Sequence, residues 1–479
     1  MDAILCDELL LEIFLRLPPP SYSAVPLVSK RWLRLHRSST TTLALRFPTP
    51  IPSLLPSIAA SLSLYPFLSS LSVVSSSSDS SEDGGAFSDR LLLAVSSSCS
   101  RLRHLRFLAG PVSVYSLLSL SASCTHLTSL NITLFRPLRL RWLASFRSLK
   151  DLSFCICTAG DDVPGEFDSE EDRTDLLLGK FDTAELGLES LSLSGIRAGD
   201  RALGWVWRNC KKLRKLRLRS CEGIGDEGSF SSFIKCLQGL QEVELRTSRT
   251  IVNGVLLKLA ENCSSLNSLL VYDGGSKEGL LQFINHCRCK FNLRRLDFRL
   301  PLDLDNHHLL AAAESFRGLS SLSLQSCCLV TGEGLKTLGL ALNSRLEELA
   351  LINCDVLERE PGLLTTLGQS LRQLKKLDLS HNEMLLDKEF VSMLVSCKGL
   401  VDLRVRGCKS LTNAAIVSLF KSCKLLESVD IMHCCGIEVE AVEMFVVNSP
   451  RLRRVWVEES KISDAARTWA LRKSVEVMV

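Results

Sequence analysis

Leucine recurs at regular intervals along most of this chain, and this spacing restricts the fold more than any other feature. The clearest unit starts at Leu400, which is followed by Leu403, Val405 and Cys408 and then by a mixed apolar and polar run. From Leu188 onward, eleven such first leucines are separated by 25 to 28 residues each. The series reads Leu102, Leu127, Leu149, Leu188, Leu213, Leu240, Leu266, Leu293, Leu319, Leu346, Leu374, Leu400, Leu426 and Leu452, with Leu68 as a weaker first candidate.

Each unit combines a strand pattern with a helix pattern. Apolar residues two positions apart, such as Leu377 and Leu379, point to the same face of a short strand, and a helical run such as residues 413–423 follows. A small residue ends the strand in six units: Cys221, Cys327, Cys354, Asn382, Cys408 and Cys434. This is the pattern of leucine-rich repeats, which have a period of about 20–29 residues and bury a core only by stacking. The sequence therefore predicts an α/β leucine-rich-repeat solenoid, with parallel strands on the concave side and helices on the convex side.

The positions of the nineteen cysteines argue against a disulfide framework. Five occupy the strand-ending position, and six others lie three residues before a first leucine: Cys99, Cys124, Cys210, Cys263, Cys397 and Cys423. A cysteine at such a place acts as a small buried apolar residue. This usage favours a reducing compartment, the cytoplasm or the nucleus or both. No pair has the C-x-x-C spacing of zinc sites, so no metal site is expected.

Composition and motifs exclude several other classes of function. The net charge of +4 is small for 479 residues, so nucleic-acid binding is not expected. There is no run of about 18 apolar residues, so no membrane span is indicated, and the acidic start of the chain disfavours a signal peptide. No catalytic motif and no phosphate-binding loop is present. We therefore expect a non-catalytic protein without a cofactor.

The first 40 residues differ from the rest of the chain. Asp7 is predicted to cap a helix over residues 8–17, because apolar residues lie there at helical spacing. Three prolines at residues 18–20 end that helix. A short second helix is predicted over residues 22–28, and Ser29 is predicted to cap a third helix.

This segment resembles the F-box family. The residues that carry the resemblance are Leu5-Cys6-Asp7-Glu8-Leu9-Leu10, then Ile13 and Leu17, then Leu27-Val28-Ser29-Lys30-Arg31-Trp32. Cys6 stands where the family usually has proline, and Pro26 lies inside what is usually a helix. F-box domains bind the Skp adaptor of cullin–RING ubiquitin ligases. The resemblance implies a three-helix F-box whose adaptor-facing residues are Leu5, Leu9, Ile13, Leu17, Val28 and Trp32.

A purely structural interpretation of the same residues is that they form a helical cap on the first repeat, since solenoids need capped ends. The resemblance favours the F-box. The predicted domains are residues 1–40 as the F-box, residues 41–98 as irregular first repeats with a serine-rich loop over residues 69–81, and residues 99–479 as the solenoid. An acidic insertion near residues 160–176 interrupts the repeats and is predicted to be a surface loop. The final residues, from Ser463 onward, are predicted to form an end cap with a helix and a closing strand.

Recognition is the function that remains. Strand residues between the buried leucines are predicted to point to the concave surface, and arginines there are candidates for binding a target or an anion. These arginines are Arg217, Arg219, Arg246, Arg299, Arg404 and Arg406. The whole chain resembles the F-box/leucine-rich-repeat family, which implies a substrate receptor of an SCF ligase that joins a cullin through the adaptor. Two alternatives stay open. The first is a ligand-sensing receptor of the same architecture, as among plant relatives, although no sequence feature supports a small-molecule ligand. The second is a leucine-rich-repeat scaffold with no ubiquitin role. The target protein is unknown.

Overall fold

The computed structural model describes residues 5–17, 22, 24–47, 52–75, 84–157, 185–225, 227–301 and 303–479. The chain divides into two compact units, Met1–Cys236 and Leu237–Val479. In both units, short parallel strands alternate with helices or loops. The α/β class and the parallel order of the strands, both predicted from the leucine spacing, are confirmed.

The N-terminal helices are α1 (Asp7–Arg16), a 3₁₀ helix (Val25–Leu27) and α2 (Lys30–Ser39). The predicted cap at Ser29 is confirmed, because its Oγ accepts a hydrogen bond from the amide of Trp32 at 3.2 Å. The predicted cap at Asp7 is wrong: Cys6 holds the capping position without a side-chain hydrogen bond. The predicted second helix over residues 22–28 is confirmed only in part: Tyr22 is helical, whereas Val25–Leu27 form a 3₁₀ turn with a proline in it.

Among the described residues of the first unit, seven strands pair in parallel in chain order. They are β1 (Thr42–Phe47), β2 (Ser70–Ser75), β3 (His104–Val112), β4 (Ser129–Leu134), β5 (Asp151–Ile156), β6 (Ser190–Ser194) and β7 (Lys215–Arg219). The helices between them are α3 (Leu55–Leu62), α4 (Gly84–Ser98), α5 (Val114–Ser123), α6 (Leu203–Asn209) and α7 (Glu227–Leu237), with 3₁₀ helices at Pro52–Leu54 and Arg141–Ser145. Buried leucines face one another along the register, as in Leu130, Leu152 and Leu191.

The predicted serine-rich loop is wrong over its first half. Residues 70–75 form β2, in which Leu71 and Val73 are buried. The alternation of serine with apolar residues has the period of a strand, so the apolar side chains reach the core while the serines face outward. The remainder of that segment, residues 76–81, and the acidic insertion at residues 160–176 lie outside the described residues.

In the part of the second unit that the structure describes, ten strands also pair in parallel in chain order. They are β8 (Glu242–Arg246), β9 (Ser268–Tyr272), β10 (Arg295–Arg299), β11 (Ser321–Gln325), β12 (Glu348–Ile352), β13 (Lys376–Asp378), β14 (Asp402–Arg404), β15 (Ser428–Asp430), β16 (Arg454–Trp456) and β17 (Glu476–Met478). The helices are α8 (Arg249–Asn262), α9 (Lys277–His286), α10 (Asn306–Ser315), α11 (Gly332–Ala341), α12 (Val356–Arg359), α13 (Leu363–Ser370), α14 (Asp387–Ser396), α15 (Asn413–Ser422), α16 (Val439–Asn448) and α17 (Asp464–Arg472), with a 3₁₀ helix at Glu459–Lys461.

The strand-ending cysteines and Asn382 perform the same task. The Sγ atom of Cys408 donates to the carbonyl of Leu379 at 3.1 Å, and Asn382 Nδ2 donates to the carbonyl of Leu351 at 2.8 Å. Each acceptor belongs to the preceding repeat. A small donor at this position therefore gives a buried carbonyl of the preceding repeat a hydrogen-bond partner. The Leu379 carbonyl also accepts from Asn382 Nδ2 of its own turn at 2.7 Å.

The predicted end cap is confirmed. Ser463 Oγ accepts a hydrogen bond from the amide of Ala466 at 3.0 Å at the start of α17, and β17 pairs with β16. The amide of Val457 also donates to the carbonyl of Met478 at 3.0 Å. The last strand thus covers an edge that would otherwise present unpaired backbone groups to water.

Candidate adaptor-binding and target-binding surfaces

The N-terminal helical segments share a small core of their own. Leu10, Phe14, Val25 and Leu35 are buried in it. The ring of Trp32 packs on Phe14 with 5.1 Å between ring centroids. Apolar packing therefore joins α1, the 3₁₀ turn and α2 into one domain, and this domain fixes which apolar side chains remain outside.

An ion pair fixes the two helices at their N-terminal ends. Arg31 Nη2 lies 2.6 Å from Asp7 Oδ1, and Arg31 Nε donates to the same oxygen at 2.9 Å. The Arg31 guanidinium also donates to the carbonyl of Leu5 at 2.8 Å. Asp7 lies in the first turn of α1, where a carboxylate also interacts favourably with the helix dipole. Because Asp7 lies inside the first turn and Cys6 holds the capping position, the Asp7 carboxylate binds Arg31 and does not cap the helix.

Three of the six predicted adaptor-binding residues are largely exposed. Leu9 is 53% exposed, Ile13 is 41% exposed and Val28 is 57% exposed. Leu9 and Ile13 are four residues apart on α1 and so share one face of the helix. Large apolar side chains held in water on a separately packed domain are typical of a binding surface.

The other three predicted residues contact the core of the domain. Leu5, Leu17 and Trp32 are partly buried and pack against the cluster around Phe14. A substitution at any of them would affect folding as well as binding. Their contact with an adaptor stays a prediction.

Sequence reasoning did not select two other exposed apolar residues of this domain. Leu27 is 86% exposed and Leu15 is 77% exposed. Leu27 is turned outward at the end of the 3₁₀ turn, whereas a short helix over residues 22–28 was predicted there. Pro26 was the signal for that change, because proline restricts the backbone of its neighbours.

Two of the predicted anion-binding arginines of the second unit already have carboxylate partners on their own strands. Arg246 Nε lies 3.2 Å from Glu244, and Arg299 Nη2 lies 2.8 Å from Asp297. The hydrogen bond with Asp297 raises the pKa of the Arg299 guanidinium, although burial opposes this shift. An added anion would have to compete with these carboxylates.

Arg404 and Arg406 also have carboxylate partners, on the same strand for Arg404 and on the neighbouring strand β15 for Arg406. Arg404 Nε lies 3.5 Å from Asp402, and Arg406 Nε lies 3.0 Å from Asp430. The remaining two predicted residues, Arg217 and Arg219, belong to β7 in the first unit. Binding of a target or an anion by any of the six stays a prediction.

The described residues contain neither a metal-binding cluster nor a membrane-spanning helix. No group of three or more His, Cys, Asp or Glu side chains among them is arranged to hold a metal ion. None of the described helices has the length and apolar character needed to cross a bilayer.

Comparison with known proteins identifies the two parts of the chain. A model of the F-box domain matches residues 3–38, and a leucine-rich-repeat model matches residues 209–229. Among solved structures, the yeast Rad7 and Elc1 complex is similar with a TM-score of 0.46 and 16% identity, over 89% of this chain and 88% of that chain. An internalin (inlF) from Listeria monocytogenes is similar with a TM-score of 0.32 and 14% sequence identity, over 95% of this chain and 92% of that chain. Both scores are low and carry no argument on function. The chain thus combines an N-terminal F-box domain with leucine-rich repeats and matches the F-box/leucine-rich-repeat proteins.

Proposed function

We propose that this chain is the substrate-recognition subunit of an SCF-type cullin–RING ubiquitin ligase. The F-box binds a Skp adaptor and, through it, the cullin, while the leucine-rich repeats bind a target protein. F-box and leucine-rich-repeat domains are typically non-catalytic recognition modules. Ubiquitin transfer therefore takes place elsewhere in the assembly, and this chain contributes proximity and orientation.

The observation that carries the proposal is the exposed apolar surface of a domain with a complete core. Phe14 and Leu10 are buried, yet Leu9, Ile13 and Val28 remain in water. A cap that only shielded the first repeat would turn its apolar side chains towards that repeat. Exposed apolar residues on an F-box instead support docking of an adaptor.

The test is co-expression with a Skp adaptor followed by size-exclusion chromatography. We expect the wild-type chain to elute with the adaptor in a one-to-one complex. The triple variant Leu9→Asp, Ile13→Asp, Val28→Asp should elute without the adaptor, because burying three unpaired carboxylates in an interface is costly. Trp32 is left unchanged because it packs on the core of the domain.

A matched control carries three equivalent substitutions far along the chain. Leu340, Val395 and Met444 are 63%, 54% and 47% exposed on helices of the second unit. Their replacement by aspartate adds the same charge and should leave adaptor binding unchanged. Retention of the adaptor by the Leu9, Ile13, Val28 variant would contradict the proposal.

We also infer that the chain works in the cytoplasm, the nucleus or both. Support comes from the eleven cysteines at the two repeating positions, the strand end and three residues before a first leucine, which are buried free thiols. Such use of cysteine is typical of reducing compartments. Fluorescence microscopy of the tagged full-length chain tests this inference, and a secretory-pathway pattern would contradict it.

A further inference from the structure

The strands in the middle of the first unit present small polar side chains on their exposed face. Asn131, Ser153 and Ser192 lie side by side on β4, β5 and β6 in the parallel register. Ser190 and Ser194 flank Ser192 on the same face. All five are partly exposed, and we refer to them as the serine floor. Small side chains allow the backbone of a partner to approach closely, and their polar groups both donate and accept hydrogen bonds.

Basic strands border the serine floor on both sides. Arg106 of β3 is in register with Asn131, and Arg217 of β7 is in register with Ser192. Lys215 and Arg219 lie on the same exposed face of β7. Asp151 is the one acidic residue in the five strands from β3 to β7. Basic side chains therefore outnumber acidic ones within these five strands. Lys215 and Arg217 already have interactions of their own, so Arg106 and Arg219 are the candidates for contact with another molecule.

Arg106 and Arg219 differ from the four candidate anion-binding arginines of the second unit. Within the described part of the chain, neither has a carboxylate at ion-pair distance, and both are exposed. Arg299 and Arg406, in contrast, are each paired with an aspartate. Guanidinium groups without an internal partner are available for the carboxylates of another molecule.

The spacing of the two basic strands sets the size of the ligand. Four strand intervals separate β3 from β7, which corresponds to about 19 Å at the usual distance between neighbouring strands. An extended peptide covers this distance with about six residues. Two acidic groups separated by about six residues would therefore reach both basic strands while the intervening backbone lies on the serine floor.

We propose that this face of the first unit binds an extended acidic segment of the target protein. The identification of the partner as a target rests on the proposed receptor function. A peptide fits better than a nucleic acid, because no aromatic side chain in the serine floor offers a surface for base stacking. The exposed carboxylate of Asp151 would in addition repel a continuous row of phosphates.

The test measures fluorescence anisotropy of a labelled synthetic peptide with the full-length chain. The probe contains two glutamate triplets separated by about six neutral residues. We expect it to bind the wild-type chain, and a matched peptide with glutamine in place of glutamate to bind at least about tenfold more weakly. The variant Arg106→Glu, Arg219→Glu should lose binding by about tenfold or more, because like charges then face each other.

Two further variants separate docking from general charge effects. The control Arg208→Glu, Arg317→Glu makes the same change of charge at exposed sites outside this face and should change affinity less than about twofold. Ser153→Trp fills the serine floor without changing charge and should also weaken binding. Equal loss of affinity in the control, no effect of Ser153→Trp, or tighter binding of a single-stranded RNA of equal charge would each overturn the proposal.

The peptide assay is independent of the adaptor assay. Arg106→Glu, Arg219→Glu leaves the F-box untouched and should still elute with the adaptor. If the peptide results fail while the adaptor binds as expected, only this inference is contradicted. If the adaptor results fail while the peptide binds as expected, the receptor role is contradicted.

Discussion

At the scale of single residues, the cysteines show how burial controls chemistry. Cys408 and Cys434 are buried at strand ends and donate hydrogen bonds to carbonyls of the preceding repeat. Burial raises the pKa of both thiols to about 12. At pH 8 only about one such thiol in ten thousand is ionised. Alkylating reagents react with the thiolate, so they should react very slowly with these two cysteines.

We therefore predict selective labelling of the native protein. Iodoacetamide at pH 8 should modify the exposed Cys155, Cys328 and Cys435 within minutes, while Cys408 and Cys434 stay unmodified. Mass spectrometry of peptides after a short labelling pulse measures this difference. Unfolding in urea should remove it, and fast labelling of Cys434 in the folded protein would show that the strand-end position is open to solvent.

At the scale of elements, neighbouring repeats approach so closely that some positions accept glycine alone. A Cβ atom added to Gly436 would lie 2.5 Å from the carbonyl oxygen of Leu411 in the preceding repeat. Gly254, in the exposed interior of α8, has no atom within 4 Å of the equivalent point. The same substitution should therefore have opposite effects at the two sites.

Gly436→Ala should lower the free energy of unfolding by about 1–3 kcal/mol, because the backbone of two repeats must separate. Gly254→Ala should raise it by about 0.5–1 kcal/mol, because alanine is the better helix former and meets nothing. Urea unfolding followed by circular dichroism measures both values. A neutral Gly436→Ala would mean that the turn moves freely relative to Leu411.

Most of the elements were predictable from the sequence because the leucine spacing reports the strand and helix periods directly. Leu71 and Val73 of β2 carried that signal too, but the serines around them suggested a loop. The role of Asp7 was not predictable, because Arg31 reaches it only after the two helices pack. Local capping rules describe one helix at a time and omit such partners.

The candidate surfaces were predictable to a smaller extent. Helical spacing identified Leu9 and Ile13, which the structure leaves exposed. The same spacing could not show that Trp32 packs on its own domain, since that depends on tertiary contacts. For the arginines a signal was present: Asp297 and Arg299 are two residues apart on a strand, so they share a face and can pair.

At the scale of the whole molecule, each repeat of an array is stabilised chiefly by contacts with its neighbours, so a terminal repeat or cap protects the repeat next to it. In the second unit, α17 and β17 form the last such neighbour. Ala466, Ala470 and Val475 of this end cap are buried, and Lys473 Nζ donates to the carbonyl of Val446 at the end of α16. Removing residues 463–479 should expose the repeat that contains α16 and β16.

The effect of this truncation should fade with distance along the second unit. We predict faster hydrogen–deuterium exchange in α16 and β16, and unchanged exchange in β9 to β11, because each repeat contacts chiefly its neighbours. Mass spectrometry of exchanged peptides resolves these segments. Leu471→Ser, at an exposed position of α17, is the control and should leave exchange unchanged. Uniformly faster exchange from β8 to β16 would instead show that the second unit folds as a single cooperative block, in which the cap supports every repeat equally.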